Sequence, residues 1–432
     1  MGALRDADKQ LESYYSVTEL SLDSSVKGEE TVSRSIVFCH DLRGLIDNVI
    51  EHRGGSVADY MIKIGIDGGG DFLKFTMNVI KEDTVVSDSK RMKYSEGAFA
   101  KNFVDGGVKK LLLIGIVEQV KETYHNLECV LNLIGLDRID FVCAFDLKLA
   151  NAFLGIGTHS STFPCPWCEV PKSSFSDPER VIEMRTLGSI RDNATMYQAA
   201  LVNHNRKTKL SAADFKSCQN VPLLKNLPND TVVLDVIPVM ELHLVLGIVN
   251  RLYDHLDATF RGIEGCDLRA IDWSDKLCIK RPPQHGGEFN GEQCKKLLQS
   301  VHILERLIES DGTCESINKI VQTFKMFEDV RQKCFSMKLL PEYDQSIRAF
   351  ESTYKDLNIP VTSKAHAIFD HVEAFIDRQG REKGLGYFSE QASESVHADF
   401  SLMWRRYKRE IEHSEYGTKL LACVVAYSPR HR

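Results

Sequence analysis

The stretch that most constrains this chain is FVCAFDLKLANAFLGIGTHSSTFPCPWC, residues 141–168, which sets an acid at the end of an apolar run and a cysteine pair soon after it. Residues 141–145 have the length and composition of a buried strand, Asp146 stands where that strand would end, and residues 147–154 carry helical apolar spacing. A carboxylate at the C-terminal end of a strand faces the crevice in which α/β folds place their chemistry. Cys165-Pro-Trp-Cys168 then has the spacing of two thiolates on one tetrahedral zinc, or of a redox dithiol.

Patterning upstream supplies more of the same architecture. Residues 61–66 read as a strand running into Asp67-Gly-Gly-Gly-Asp71, and residues 72–80 carry the chain back, so the pair reads as a hairpin. Residues 111–117 supply another strand, 118–134 a helix, and 139–145 the strand that ends at Asp146. The order β-β-β-α-β-α predicts an α/β fold built on a mixed sheet. Residues 1–60 look helical and polar, with Leu42, Leu45, Ile46, Val49 and Ile50 at helical spacing before Gly54-Gly55.

Downstream the pattern turns helical. A loop-rich region follows Cys168, and a clear helix starts near Met240, its stripe formed by Leu242, Val245, Leu246, Val249, Leu252 and Tyr253. After a loop at 280–287 come helices near 293–309, 315–338 and 342–356, then one from Ser363 that carries His366 and His371. A last long helix is predicted over 388–413. These boundaries divide the chain into a helical segment (1–60), an α/β stretch (61–160), a mostly helical stretch (161–375) and a C-terminal helical part (376–432).

Composition narrows the function classes. A length of 432 residues suits two or three domains. A net charge of -7 and a pI near 6.1 give no overall basic signature, so any nucleic-acid contact must rest on local patches. Twelve scattered cysteines and a polar opening segment point to a reduced intracellular setting rather than a disulfide framework, and the apolar runs are too short to span a bilayer.

Three constellations carry chemistry. Asp67 and Asp146 each follow a buried-strand pattern and can lie side by side, as a two-metal site with ions roughly 4 Å apart requires; Asp67 can equally be a turn residue beside glycine, with Asp71 second in line for the metal role. His366-Ala-Ile-Phe-Asp-His371 has the H-x4-H spacing that completes Cys2His2 zinc sites, unless both are ordinary helix residues. On the last helix, Glu394 falls opposite the apolar stripe Ala392, Val396, Phe400, Met403 and Tyr407, and shares its face with His397, Ser401, Arg405 and Lys408. That face can serve a metal and a phosphate backbone, or simply be solvated.

Together these motifs resemble the catalytic core of Transib-type DDE transposases and of the V(D)J recombination-activating recombinase. The family's D-G-x-G-D turn is matched by Asp67-Gly-Gly-Gly-Asp71, and its second Asp precedes a CxxC by nineteen residues, as Asp146 precedes Cys165. Its distant H-x4-H is matched by His366 and His371, and its final Glu, in an S-E-rich helix start, by Ser389-Glu-Gln-Ala-Ser-Glu394. Pro238-Val-Met-Glu-Leu-His243 with Gly247 is also similar to a family segment. The glutamate segment has one residue more between Glu390 and Glu394 than the vertebrate pattern, which keeps Glu390 as a lesser candidate, and His397 stands where the family often has Asn. Nothing in the sequence matches the vertebrate member's N-terminal RING and nonamer-binding regions, so a truncated or domesticated copy is one expectation.

The resemblance implies an RNase H-like core whose first part is 61–160, interrupted by a mostly helical zinc-bearing insertion (161–375) and completed by the C-terminal helical part (376–432). It implies Asp67, Asp146 and Glu394 as catalytic ligands of two Mg²⁺ (or Mn²⁺) ions, and Zn²⁺ on Cys165, Cys168, His366 and His371. Arg405 and Lys408, beside Trp404-Arg-Arg-Tyr-Lys-Arg409, would contact DNA. The activity implied is nicking and strand transfer on double-stranded DNA, in the nucleus, by a homodimer with a possible accessory subunit. Two other classes stay open: a catalytically silent, zinc-stabilised DNA- or protein-binding relic, and a sugar kinase or actin-like ATPase whose first phosphate loop Ile66 to Lys74 resembles. The latter needs a second glycine-rich loop, and Asp105-Gly-Gly107 lies before its strand. Because crowded carboxylates repel without metal, Asp67→Asn is expected to leave the metal-free chain no less stable.

Overall fold

The computed structural model describes residues 9–69, 71–81, 110–203, 210–264, 266–282, 287–309 and 315–428. Asp105-Gly-Gly107, positions 283–286 of the 280–287 loop and the first eight residues of the expected helical segment lie outside the described residues. The chain divides into two compact units: Met1–Thr158 with Thr186–Ile237 and Glu390–Arg432, and His159–Arg185 with Pro238–Ser389. Residues 186–237, read from sequence as part of the insertion, thus pack within the first unit.

The fold is mixed α/β. Its six-stranded sheet, in the first unit, is built from β1 (Tyr15–Asp23), β2 (Thr31–Cys39), β3 (Tyr60–Asp67), β4 (Phe72–Lys81), β5 (Leu112–Glu118) and β6 (Val142–Ala144), in the spatial order β1-β2-β5-β4-β3-β6. Every neighbouring pair is antiparallel except β3 and β6, which run parallel. All seven residues of β5 and nine of the ten in β4 are buried; β5 reads as an apolar run, whereas β4 alternates the buried polar Lys74, Thr76 and Asn78 with Phe75, Met77 and Val79. Parallel pairing of β3 with β6 needs a crossover, and α2 (Tyr124–Ile134), N-capped by Thr123, lies within it. Helix α2 is shorter than the 118–134 expected, because β5 runs through Glu118 and residues 119–123 form a loop.

Residues 1–60 correct the sequence reading most. Besides α1 (Leu42–Arg53), whose buried face does hold Leu42, Leu45, Ile46, Val49 and Ile50, the described part of the segment holds a β-hairpin, β1 and β2. Strand β1 is an edge with mostly exposed or half-exposed side chains, so it offers little apolar periodicity to read. It is the continuous pairing from Tyr15↔Cys39 to Asp23↔Thr31, and the Val37↔Ile116 bridge to β5, that hold this hairpin in the sheet.

The register of β3 and β6 fixes the two acids. Gly65 pairs with Ala144, so counting two residues on along each strand brings Asp67 level with Asp146. Neighbouring strands lie about 4.8 Å apart, close enough for both carboxylates to face one cleft. Asp146 also begins α3 (Leu147–Leu154) as its N-cap, its Oδ1 accepting from Leu149 N–H at 2.7 Å.

The last helix expected over 388–413 is the shorter α13 (Gln391–Tyr407), and beyond a loop follows α14 (Tyr416–Tyr427), which the sequence reading did not place. Ala392, Val396, Phe400 and Met403 on α13 are buried as the stripe predicts, and Tyr407 is half-buried. Phe72 of β4 meets Phe400 and Trp404 edge-on, at 5.5 and 6.0 Å between ring centres. Closer to its start, α13 lies against the sheet, where Ser393 Oγ is 3.1 Å from Thr76 Oγ1. Gly65 permits this approach: a Cβ there would fall 1.9 Å from Ser393 Oγ and 2.6 Å from Thr76 Oγ1.

The second unit is helical. It holds α6 (Glu241–Gly262), α7 (Ala270–Lys276), α8 (Gly291–Gln299), α9 (Val301–Glu309), α10 (Glu315–Cys334), α11 (Tyr343–Asp356) and α12 (Ser363–Arg378), while α4 (Leu187–Val202) and the short α5 (Val233–Val236) belong to the first. Val245, Val249, Leu252 and Tyr253 of α6 are buried as expected, joined by Leu244, Ile248, Leu256 and Phe260 rather than by Leu242 and Leu246.

Gly65→Ala should therefore push the start of α13 away from β3. Overpacking of this kind costs about 1–3 kcal/mol, read as a lower midpoint in chemical denaturation; an unchanged midpoint would mean that the helix start is free to shift.

Candidate metal centres

In the second unit, four ligand-type side chains converge. Cys165, Cys168, His366 and His371 are buried, and their donor atoms all lie within 4.8 Å of one another. Cys165 Sγ stands 3.2 Å from His371 Nε2, Cys168 Sγ 3.2 Å from His366 Nε2, and the two Nε2 atoms 3.2 Å apart. A tetrahedral zinc with bonds of about 2.3 Å to sulfur and about 2.0 Å to nitrogen spaces such ligands roughly 3.3–3.8 Å apart. The cluster can thus hold a metal such as zinc, and the distant H-x4-H pair does join the CxxC.

Supporting residues extend this pattern. His366 Nδ1 lies 2.6 Å from Asp370 Oδ2, leaving Nε2 to face the cysteines. Asp370 is gripped by Arg180, whose Nε and Nη2 donate to its two oxygens at 3.0 and 2.7 Å, and Arg180 Nη2 also reaches Glu351 at 3.1 Å. The fully buried Arg185 donates from Nε to the carbonyls of Cys165 and Cys168, at 3.1 and 3.0 Å, which fixes the knuckle's backbone. Phe175 stacks on His366 at 3.9 Å. Burial opposes a charge on Cys165, but hydrogen bonds from Cys168 and the backbone, with the Arg185 charge, bring its thiol below the ordinary value; its hydrogen bond with Cys165 and burial push Cys168 up to about 11. Asp370 was visible in sequence only as a residue between the histidines, and Arg180 and Arg185 carried no signal.

In the first unit a small cleft, with about 10 Å³ of space, opens at the ends of β3 and β6. It is lined by Asp67, Glu122, Asp146, Glu390, Ser393 and Glu394 among others, so the acids named from sequence share one cavity. At its edge, Asp67 and Glu394 bring their ligand atoms within 4.8 Å of one another and of His397, which is not among the residues lining the cleft. Asp146 lines the same cleft while capping α3, and stands outside the close group. Glu390, buried at the start of α13, also lines it but is not in the close group, so Glu394 is the better placed of the two. Asp71, by contrast, is exposed with φ 66°, a left-handed turn conformation that Asp tolerates, and donates no ligand to the close group. The turn role falls to Asp71, not Asp67.

Sequence reasoning missed what balances the charge. Register puts Lys74 opposite Asp67, and this lysine is fully buried. Its Nζ donates to Gly69 O at 2.9 Å and contacts His397 Nδ1, while His397 Nε2 contacts Asp67 Oδ2. Burial pulls the Lys74 ammonium down to about 8, against the attraction of Asp67 and Asp71. Glu122 is a further acid not singled out: its Oε1 accepts from Gly68 N–H at 2.8 Å and its Oε2 pairs with Lys148. Arg405 and Lys408 are exposed at the C-terminal end of α13.

Compared with known proteins, the chain matches no family model and no curated protein.

Two sets of outcomes test these centres. Cys168→Ser should lose one equivalent of zinc and lower the melting temperature, and Asp370→Ala should weaken zinc binding by roughly 10–100-fold; unchanged metal content in both would remove the joint site. For the cleft, Asp67→Asn is now expected to destabilise, because it strips a buried ammonium of its nearest anion, which outweighs relief of carboxylate repulsion. Lys74 also gives a pH signature. With its folded value near 8 and its unfolded value near 10.5, the unfolded chain binds the extra proton between these, so the cost is complete below pH 8 and fades as pH rises to 10.5. Wild type should gain on the order of 3 kcal/mol relative to Lys74→Met across that window; a flat difference would contradict the burial of its charge.

Proposed function

We propose that this chain is a metal-dependent DNA nuclease and strand transferase of the DDE type, with an RNase H-like core. The observation that carries the reading is the convergence of Asp67, Asp146 and Glu394, far apart in sequence, on one cleft at the ends of two adjacent parallel strands. The β-β-β-α-β-α succession seen in residues 60–154 is the one the resemblance to Transib-type transposases and the recombination-activating recombinase calls for. A cysteine and histidine cluster in the second unit agrees with it as well.

Each residue then has a role that its surroundings support. Asp67, Asp146 and Glu394 would hold Mg²⁺ or Mn²⁺, with Glu390 and Glu122 bordering the same space. When bound, divalent ions supply Lewis acidity to the attacking and leaving oxygens of a phosphodiester. Lys74 and His397 hold Asp67 in place and temper its charge. Arg405 and Lys408 would grip phosphates of double-stranded DNA, supplying locally the cationic surface that a net charge of -7 does not. Cys165, Cys168, His366 and His371 would keep zinc as a structural ion. Nuclear residence, a homodimer that pairs two DNA ends and an accessory subunit follow from the same reading.

Nicking of supercoiled plasmid in Mg²⁺ or Mn²⁺ is the direct assay. Asp146→Asn and Glu394→Gln should each abolish nicking while zinc content stays unchanged; retained nicking in both would refute the assignment. Arg405→Ala and Lys408→Ala should weaken DNA binding across sequences and reduce the salt slope by about one charge each. Equal slopes before and after would leave that face merely solvated.

A further inference from the structure

We propose that the cation held by Asp67 and Glu394 takes His397 Nε2 as a third ligand, so that the cleft prefers a first-row transition-metal ion to Mg²⁺. This rests on reading Asp67 and Glu394 as metal carboxylates and goes beyond it, to which ion they take.

The donor set is what distinguishes this cleft from a ring of carboxylates. Asp67 and Glu394 offer hard oxygens, which suit Mg²⁺, whereas imidazole nitrogen suits transition ions and is a poor ligand for Mg²⁺. His397 is aimed rather than merely nearby. Its ring lies over the turn after β3, where a Cβ on Gly69 would fall 2.6 Å from Nε2 and 2.8 Å from both Cδ2 and Cε1, so the glycine makes room for the imidazole. Helical spacing sets His397 three residues after Glu394 on the same face of α13, and Nδ1 is held by Lys74 Nζ.

That contact has a consequence for the tautomer. With Lys74 donating to Nδ1, the ring hydrogen sits on Nε2 and points at Asp67 Oδ2. Ligation at Nε2 moves this hydrogen to Nδ1, where it faces the Lys74 ammonium, so Lys74 Nζ must draw back from the ring and keep Gly69 O as its acceptor. No proton need leave the neutral ring, and the imidazole can exchange a hydrogen bond to Asp67 for a shared ion. An Asn at this position would instead offer an amide oxygen.

The test uses the full chain with its zinc loaded, and Mn²⁺ as the probe. Electron paramagnetic resonance counts bound Mn²⁺, competition with Mg²⁺ gives the preference, and electron spin echo modulation reports whether a ¹⁴N nucleus is ligated. The expected result is one Mn²⁺ per chain with an imidazole ¹⁴N coupling, absent in His397→Asn and His397→Gln, and a Mn²⁺ over Mg²⁺ preference that falls roughly tenfold in either variant. The wild-type coupling needs no variant to fold. Mn²⁺ that is bound without ¹⁴N coupling, and lost in Glu394→Gln, overturns the inference and leaves the carboxylate reading intact. If no Mn²⁺ binds, the inference also falls; Mg²⁺-dependent nicking would then keep the carboxylate reading alive, and its absence would remove both.

Discussion

Burying a lysine ammonium inside a sheet carries a desolvation cost that only nearby anions or acceptors offset, and in this fold the strand register decides which ones are near. Asp67 ends β3 opposite Lys74, so the acid that faces the cleft also answers a charge in the core. His397 from α13 bridges the two. The start of α13 is in turn held against β3 by the absence of a side chain at Gly65, which places Glu394 at the same cleft. Charge balance at this strand end thus ties together sheet register, helix docking and a group of metal-competent donors. Any cation entering the cleft meets a network already settled by Lys74, and must offer Asp67 more than His397 and Lys74 do.

The two candidate centres differ in the way structural and catalytic metal sites differ. The Cys165, Cys168, His366 and His371 group is buried on all four members, supplies four ligands and is braced by Asp370, Arg180 and Arg185. A closed set of four leaves no position for a reacting molecule. Asp67, Glu394 and His397 are each half-exposed and supply three ligands, and Asp67 and Glu394 border the cleft. A set of three leaves coordination positions unfilled, as the nuclease reading requires.

Much of this was legible before any coordinates. Residues 61–66, 72–80 and 141–145 announced strands because their composition is dominated by apolar residues with β preference, and Asp67 and Asp146 stood out at the ends of the first and last of them. The cysteine and histidine pairs were legible as spacings even though about 200 residues separate Cys165 from His366 and His371. What stayed hidden depended on partners from elsewhere in the chain. Strand β1 carries polar side chains on a sheet edge, so only pairing with β2 makes it a strand. Lys74 reads as an ordinary charged strand residue until its burial and its contact with His397 are known, and Glu122 reads as an acid of the helix expected over 118–134 until Gly68 N–H is found donating to it. Tertiary charge compensation leaves no periodic trace in sequence.

The central claim is that the Asp67 and Glu394 carboxylates form a metal-binding cleft separate from the cysteine and histidine cluster. The most direct measurement is anomalous diffraction from crystals of the zinc-loaded protein soaked in Mn²⁺, recorded on both sides of the zinc and manganese edges. The account predicts a manganese peak between Asp67 and Glu394, and a zinc peak among Cys165, Cys168, His366 and His371. A zinc peak at the cluster with no manganese anywhere in the cleft would contradict it.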